Sequence, residues 1–283
     1  MSDTAKVNRE YKDRLFSFLF GSPENREWTL SLYNAVNGSK YRDADKIQIK
    51  TIKEVLYLGM HNDVSFQIYD ILNLYEQQSS FNPNMPLRQM QYAGNVYERY
   101  VTEHKLNKYG KTLIKLPMPK LITFYNGTDD EPDEQILKLS DSFLSGSEGD
   151  IEVSVRMLNI NYGRNKKLLD ACKPLKEYSW FVDEIRKNRA DMDIEHAVDK
   201  AINNMPEDFQ IKPFLKTHRS EVQGMLLTEY NEVETMELFR EEGREEGREE
   251  GRAEERMNTE RERNRADTAE AELEKYRSKY GEL

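Results

Sequence analysis

A chain of 283 residues with 37% hydrophobic and 10% aromatic content can bury the core of one catalytic domain with appendages, or of two small domains. A single cysteine, Cys172, excludes an internal disulfide, and only four scattered histidines (His61, His104, His196, His218) accompany it, too few for a zinc site. The net charge of −10 argues against a uniformly basic nucleic-acid binder, but residues 1–120 hold 17 Lys/Arg against 13 Asp/Glu by count along the sequence, so any polyanion is expected at the N-terminal part.

No stretch approaches the roughly 18 apolar residues of a spanning helix. Residues 1–10 are charged throughout and lack an apolar h-region, so neither a secretory signal nor a membrane partner is expected, and a reducing cytoplasm is the expected location.

Residues 7–37 read as two helices. Leu15, Phe16, Leu19 and Phe20 recur at helical spacing, and Gly21 is expected to end the first helix in a left-handed conformation. Ser22-Pro23 is the expected N-cap and first-turn proline of the second helix, and Asn37-Gly38 its stop. From about 47 to 78 the period becomes two: Ile47, Ile49, Thr51, then Val64, Phe66, Ile68, then Leu72, Leu74, Glu76, with Asp70 at a turn. Asn84 followed by Met85-Pro86 opens a helix with Leu87, Met90, Gly94 and Tyr97 on one side. Leu121 to Tyr125 reads as a short buried strand closed by Asn126-Gly127, and 151–160 as another strand, with Ile151, Val153, Val155 and Met157 facing one way. From about 165 to 235 the pattern is helical, broken near Pro174, Pro206 and Pro213.

The order of helix, strands, helix, strand predicts a mixed α/β layer arrangement. The chain is divided accordingly into 1–160, a helical region 161–239 and a charged tail 240–283. In the tail Arg-Glu-Glu-Gly repeats from Arg240, Arg244 and Arg248. Glu three residues before Arg favours a helix by a few tenths of a kcal/mol, while each Gly opposes it by about 1 kcal/mol. A marginal solvated helix and a disordered tail both remain open, and a strong coiled coil is not expected.

The chemistry-bearing stretch is His61-Asn62-Asp63-Val64-Ser65-Phe66 with Leu74-Tyr75-Glu76-Gln77-Gln78. Residues two apart on a strand face the same way, so Glu76 and Gln78 share a face. If 64–68 and 72–78 pair as a hairpin, Asp63 lies near Glu76, and the two carboxylates are expected within about 6 Å of each other, close enough for one hydrated Mg²⁺. The backbone carbonyl of Gln77 could complete the ligands. Against this stands the plain alternative that both are exposed edge residues. Glu76 interrupts an otherwise apolar strand, and an inward carboxylate requires a partner or a metal. His61 offers no proton-relay logic.

The order Asp63, Glu76-x-Gln78-Ser79 and a helix bearing Arg88 closely resembles the Rpn family of recombination-promoting nucleases, also described as YhgA-like transposases, of the PD-(D/E)XK nuclease superfamily. The resemblance extends to Lys12-Asp13-x-x-Phe16-x-x-Leu19-Phe20, Tyr33-Asn34-Ala35-Val36-Asn37-Gly38, Asn82-Pro83-Asn84-Met85-Pro86-Leu87-Arg88, Phe124-Tyr125-Asn126-Gly127 and the Glu/Gly/Arg-rich tail. It implies a PD-(D/E)XK mixed sheet flanked by helices over 1–160. It further implies a Mg²⁺- or Mn²⁺-dependent endonuclease cutting DNA in a recombination or mobile-element setting. Asp63, Glu76 and Gln78 would be catalytic, Asp63, Glu76 and Gln77 would hold the metal, and Asp13 would be auxiliary unless simply solvated. Arg88 and Lys12 would contact nucleic acid, with Arg88 equally readable as a surface residue capping nearby carboxylates. Gln78 stands where the superfamily usually has lysine, so a neutral amide would orient the water in place of a cation. Two rivals remain: a degenerate nuclease fold binding DNA or protein, and a helical scaffold assembled through the tail, with homo-oligomers left open.

Overall fold

A computed structural model describes residues 15–49, 64–144 and 149–281. The alternating run at 64–78 forms a hairpin of β2 (Val64–Ile68) and β3 (Ile71–Gln78), with Ile68 opposite Ile71 and Val64 opposite Tyr75. Asp70 lies in its two-residue turn, where Tyr69 adopts a φ of 50°, as tight hairpins require. β1 (Ile47–Ile49) pairs antiparallel on the outer side of β2. α3 (Met85–Glu103) then carries the chain back so that β4 (Met118–Tyr125) runs parallel to β3, the crossover a parallel pair needs. β6 (Ser154–Asn159) lies parallel to β4, and β5 (Glu134–Lys138) closes the edge antiparallel to β6. The result is a mixed sheet of six strands in the order β1-β2-β3-β4-β6-β5.

Helices flank both faces. On one, Phe16 of α1 (Leu15–Phe20) lies 5.1 Å from Phe124 and 5.8 Å from Tyr178 of α5 (Lys173–Asn188), while Tyr75 packs on Phe66 and Phe124. Tyr33 of α2 (Arg26–Asn37) meets Phe66 edge-on. On the other face, Tyr92 and Val96 of α3 cover Leu72 and Leu74, and Met85 joins Tyr125, Val155 and Met157.

Several local expectations change. Gly21 is not left-handed. Its N–H donates to Ser17 O at 2.7 Å, and a Cβ there would stand 2.7 Å from that same oxygen. Ser22 does not cap the next helix: its hydroxyl donates back to Phe18 O at 2.7 Å, and a 3-10 turn, Pro23–Asn25, precedes α2. Gly38 does end α2 in the left-handed region, at φ 64°. In α3 the buried stripe is Met85, Gln89, Tyr92 and Val96, while Leu87 and Gly94 are exposed, because the helix rolls its polar Gln89 onto β4. Ile151 is exposed as well.

Beyond the sheet, α4 (Lys166–Ala171), α5, α6 (Ile194–Asn204) and α7 (Lys212–Thr217) follow, the prolines lying at or between helix starts. Buried Glu177 of α5 accepts the Ile211 N–H at 3.0 Å and so holds the entry to α7. Contacts group residues up to 229 into one compact unit and 230–283 into a second. α8 (Arg219–Tyr280) is helical through the Arg-Glu-Glu-Gly repeats, and every described side chain from Glu241 onward is exposed. No helix among the described residues is long and apolar enough to cross a membrane.

Candidate functional site

Strand alternation sends Leu72, Leu74, Glu76 and Gln78 toward α3, and Asn73, Tyr75 and Gln77 toward α1 and α5. Glu76 is only 2% exposed. A carboxylate this deep needs compensation, and it receives charge-assisted hydrogen bonds. The Arg88 guanidinium donates to Glu76 Oε1 at 2.6 Å, and the Gln78 amide donates to the same oxygen at 3.1 Å. Arg88 also donates to the Tyr92 hydroxyl, one turn further along α3, at 3.3 Å.

The α3 start that delivers Arg88 is built locally. Asn82 Oδ1 accepts the Asn84 N–H at 2.9 Å, and Pro86 sits in the first turn, where its missing N–H costs nothing. Gln89 then donates to Ile122 O at 3.3 Å and ties the helix to β4. Thr123 is the β4 partner of Glu76 in the parallel ladder. Its buried hydroxyl and the Gln89 side-chain oxygen make no hydrogen bond with any described residue.

Gln77 points the other way. Its amide donates to Asn126 Oδ1 at 2.5 Å, and Asn126 donates to the Tyr178 hydroxyl at 3.3 Å. Arg186 holds the Asn126 carbonyl and Asn161 Oδ1. The Gln77 side-chain amide is therefore a clasp between the ends of β3, β4 and α5, while the ligand role expected of Gln77 concerns its backbone carbonyl. Burial pushes the Tyr75 hydroxyl far above the usual phenol range, so it stays protonated. Gly127 lets the strand ends close up: a Cβ there would lie 2.4 Å from Ser79 O.

Of the residues singled out from the sequence, Glu76, Gln78 and Arg88 meet at one point. Lys12, Asp13, His61 and Asp63 lie outside the described residues, and so does the expected 6 Å approach of Asp63 and Glu76. Val64, the residue covalently next to Asp63, pairs with Tyr75, the neighbour of Glu76. Among the described residues no group of three or more His, Cys, Asp or Glu could hold a metal. The oxygen-bearing side chains that the register sets side by side are Glu76 and Thr123; oxygen ligands suit Mg²⁺, which takes only one or two protein carboxylates beside its waters. Thr123, Gln89 and Asn126 were not anticipated. Thr123 carried the same signal as Glu76, a polar residue inside an apolar strand, but only the parallel register brings the two side by side.

No protein-family model matches the chain, and neither the curated proteins nor the solved structures yield a match.

Proposed function

We propose that the chain is a metal-dependent DNA endonuclease of the PD-(D/E)XK type, acting at the end of β3. The observation that carries this reading is the almost fully buried Glu76 carboxylate, gathered with Gln78 and Arg88 beside the Thr123 hydroxyl. Carboxylates are seldom placed so deep on a central strand unless paired or bound to a metal, and such clusters of ionisable and polar groups gather at functional sites. In this reading Asp63 and Glu76 supply the metal carboxylates and the Gln77 carbonyl a further oxygen. A divalent cation so held would polarise the phosphodiester and lower the pKa of an attacking water. Gln78 orients that water through its amide, and Arg88 faces the phosphate.

A second reading has its own observation. Arg88 already neutralises Glu76 at 2.6 Å, and Gln78 replaces the cation usual at its position. A fold that has lost catalysis but still binds DNA or protein would look like this.

A plasmid-nicking time course with Mg²⁺ or Mn²⁺ separates the two. Slow nicking by the wild type that is lost in Asp63→Ala and in Glu76→Ala, both still folded, supports the nuclease. Gln78→Ala should cost less, and Gln78→Lys should raise the rate. Equal activity in wild type and Asp63→Ala would point to a contaminant and leave the non-catalytic reading.

A further inference from the structure

Between α3 and β4 the chain runs through residues 104–117 without regular structure. Loops this long inside a compact unit are uncommon and are usually either functional or linker segments. This one is tied down at both ends. Lys105 takes a φ of 52°, Leu106 N–H donates to Val101 O at 2.9 Å, and the Tyr97 hydroxyl donates to Pro117 O at 2.8 Å. Met118 N–H donates to Asp70 O at 2.7 Å, in the β2–β3 turn. Its middle stands in solvent.

From His104 to Leu121 there is no acidic residue and there are five lysines, at 105, 108, 111, 115 and 120. Lys108 is engaged by Glu98 at 2.8 Å, and Glu103 by Arg99. Lys105, Lys111, Lys115 and Lys120 form no ion pair with a described residue. Between these cations lie large apolar side chains in water: Tyr109 is 89% exposed, Leu113 77%, Met118 50% and Leu116 45%. Asp70 and Glu152, the latter bound to the Ser140 and Val153 N–H groups, are the carboxylates at its borders. With a rise of about 1.5 Å per residue, α3 sets the start of the loop roughly 24 Å from Arg88, and its far end joins β4 at Met118, five strand residues or about 16 Å before Thr123, so the loop lies outside the proposed nuclease site.

Cations alone would fit any polyanion. The aliphatic tips narrow the choice, because Leu113, Leu116 and Met118 gain nothing from a hydrated sugar-phosphate backbone, whose contacts come from Lys, Arg and polar groups. They do gain by leaving water for an acyl layer while neighbouring lysines meet anionic headgroups. We infer that loop 104–117 is a peripheral docking element for an anionic lipid surface, its lysines on the headgroups and Tyr109, Leu113 and Leu116 at the acyl boundary. This goes beyond the expectation of no membrane partner, which rested on the lack of a spanning segment.

The test is sedimentation of the full chain with vesicles of neutral phosphatidylcholine and with vesicles in which a third of the lipid is phosphatidylglycerol. The protein should sediment with the anionic vesicles only, and high salt should release it. Lys105→Glu/Lys111→Glu/Lys115→Glu should weaken this binding by at least about tenfold. Leu113→Ser/Leu116→Ser should weaken it several-fold with the melting temperature unchanged. No sedimentation with anionic vesicles at low salt overturns the inference, as does binding that neither variant alters. If the charge reversal abolishes DNA binding in a mobility-shift assay while vesicles are never bound, the loop is a nucleic-acid surface and the inference fails.

Discussion

Arg88 in the first turn of α3 donates to Glu76 at the end of β3 at 2.6 Å, joining two elements that meet at the candidate site. The carboxylate is 2% exposed and the arginine side chain 28%. Removing the guanidinium takes a charged hydrogen bond from a desolvated carboxylate that keeps Gln78 as a donor, which costs more than a surface pair is worth. Arg88→Ala should therefore lower stability by about 2 kcal/mol, and Glu76→Gln/Arg88→Ala should recover part of that. Urea titrations of the single and double variants check this, and additive losses would show that the pair is not coupled.

Two glycines should respond in opposite directions to alanine. A Cβ on Gly127 would meet Ser79 O at 2.4 Å and the Tyr125 hydroxyl at 2.5 Å. Gly127→Ala must push the strand ends apart and should destabilise by about 1–3 kcal/mol. Gly94, exposed in the middle of α3, offers a Cβ open space. Gly94→Ala should stabilise by up to about 1 kcal/mol, from helix propensity and a less free unfolded chain. Melting temperatures moving the same way for both would contradict the geometry.

Cys172 is buried at the start of α5, where the Ser31 hydroxyl donates to its sulfur at 3.4 Å. Burial pushes its thiol up to about 11. The unfolded chain loses that proton near pH 9 and the folded one does not, so stability should be full below about pH 9 and fall as pH rises toward 11, by about 2 kcal/mol. Cys172→Ala should flatten this slope relative to wild type in denaturant melts at matched pH. The native thiol should also resist maleimide until the protein unfolds.

Deletion of residues 240–283 should leave the melting temperature of the remainder nearly unchanged. The described side chains of that segment are exposed, so little apolar surface is lost with it. A large drop would show that it packs on the body. Self-association, measured by light scattering, is the property the deletion is expected to alter, since Arg and Glu stripes can pair between chains.

Periodicity determined much of what can be said of the candidate site. Alternation at 64–78 set the hairpin, its turn at Asp70 and the shared face of Glu76 and Gln78, because a strand side chain has only two directions to take. Asn37-Gly38 announced the end of α2, since glycine enters the left-handed region at little cost. Sequence did not announce β5, whose residues Glu134–Lys138 are mostly exposed on an edge strand and carry almost no apolar alternation. Nor could it roll α3, where Leu87 and Tyr92 compete for the sheet and only packing chooses Tyr92. Arg88 could equally have stayed in solvent as a surface residue. What brings it to Glu76 is the docking of α3 on β3 and β4, and what brings Thr123 beside Glu76 and Asn126 to Gln77 is a parallel pairing across some fifty residues of chain. Such pairings depend on which surfaces bury one another best, and that preference belongs to the assembled layers and to no local run of residues.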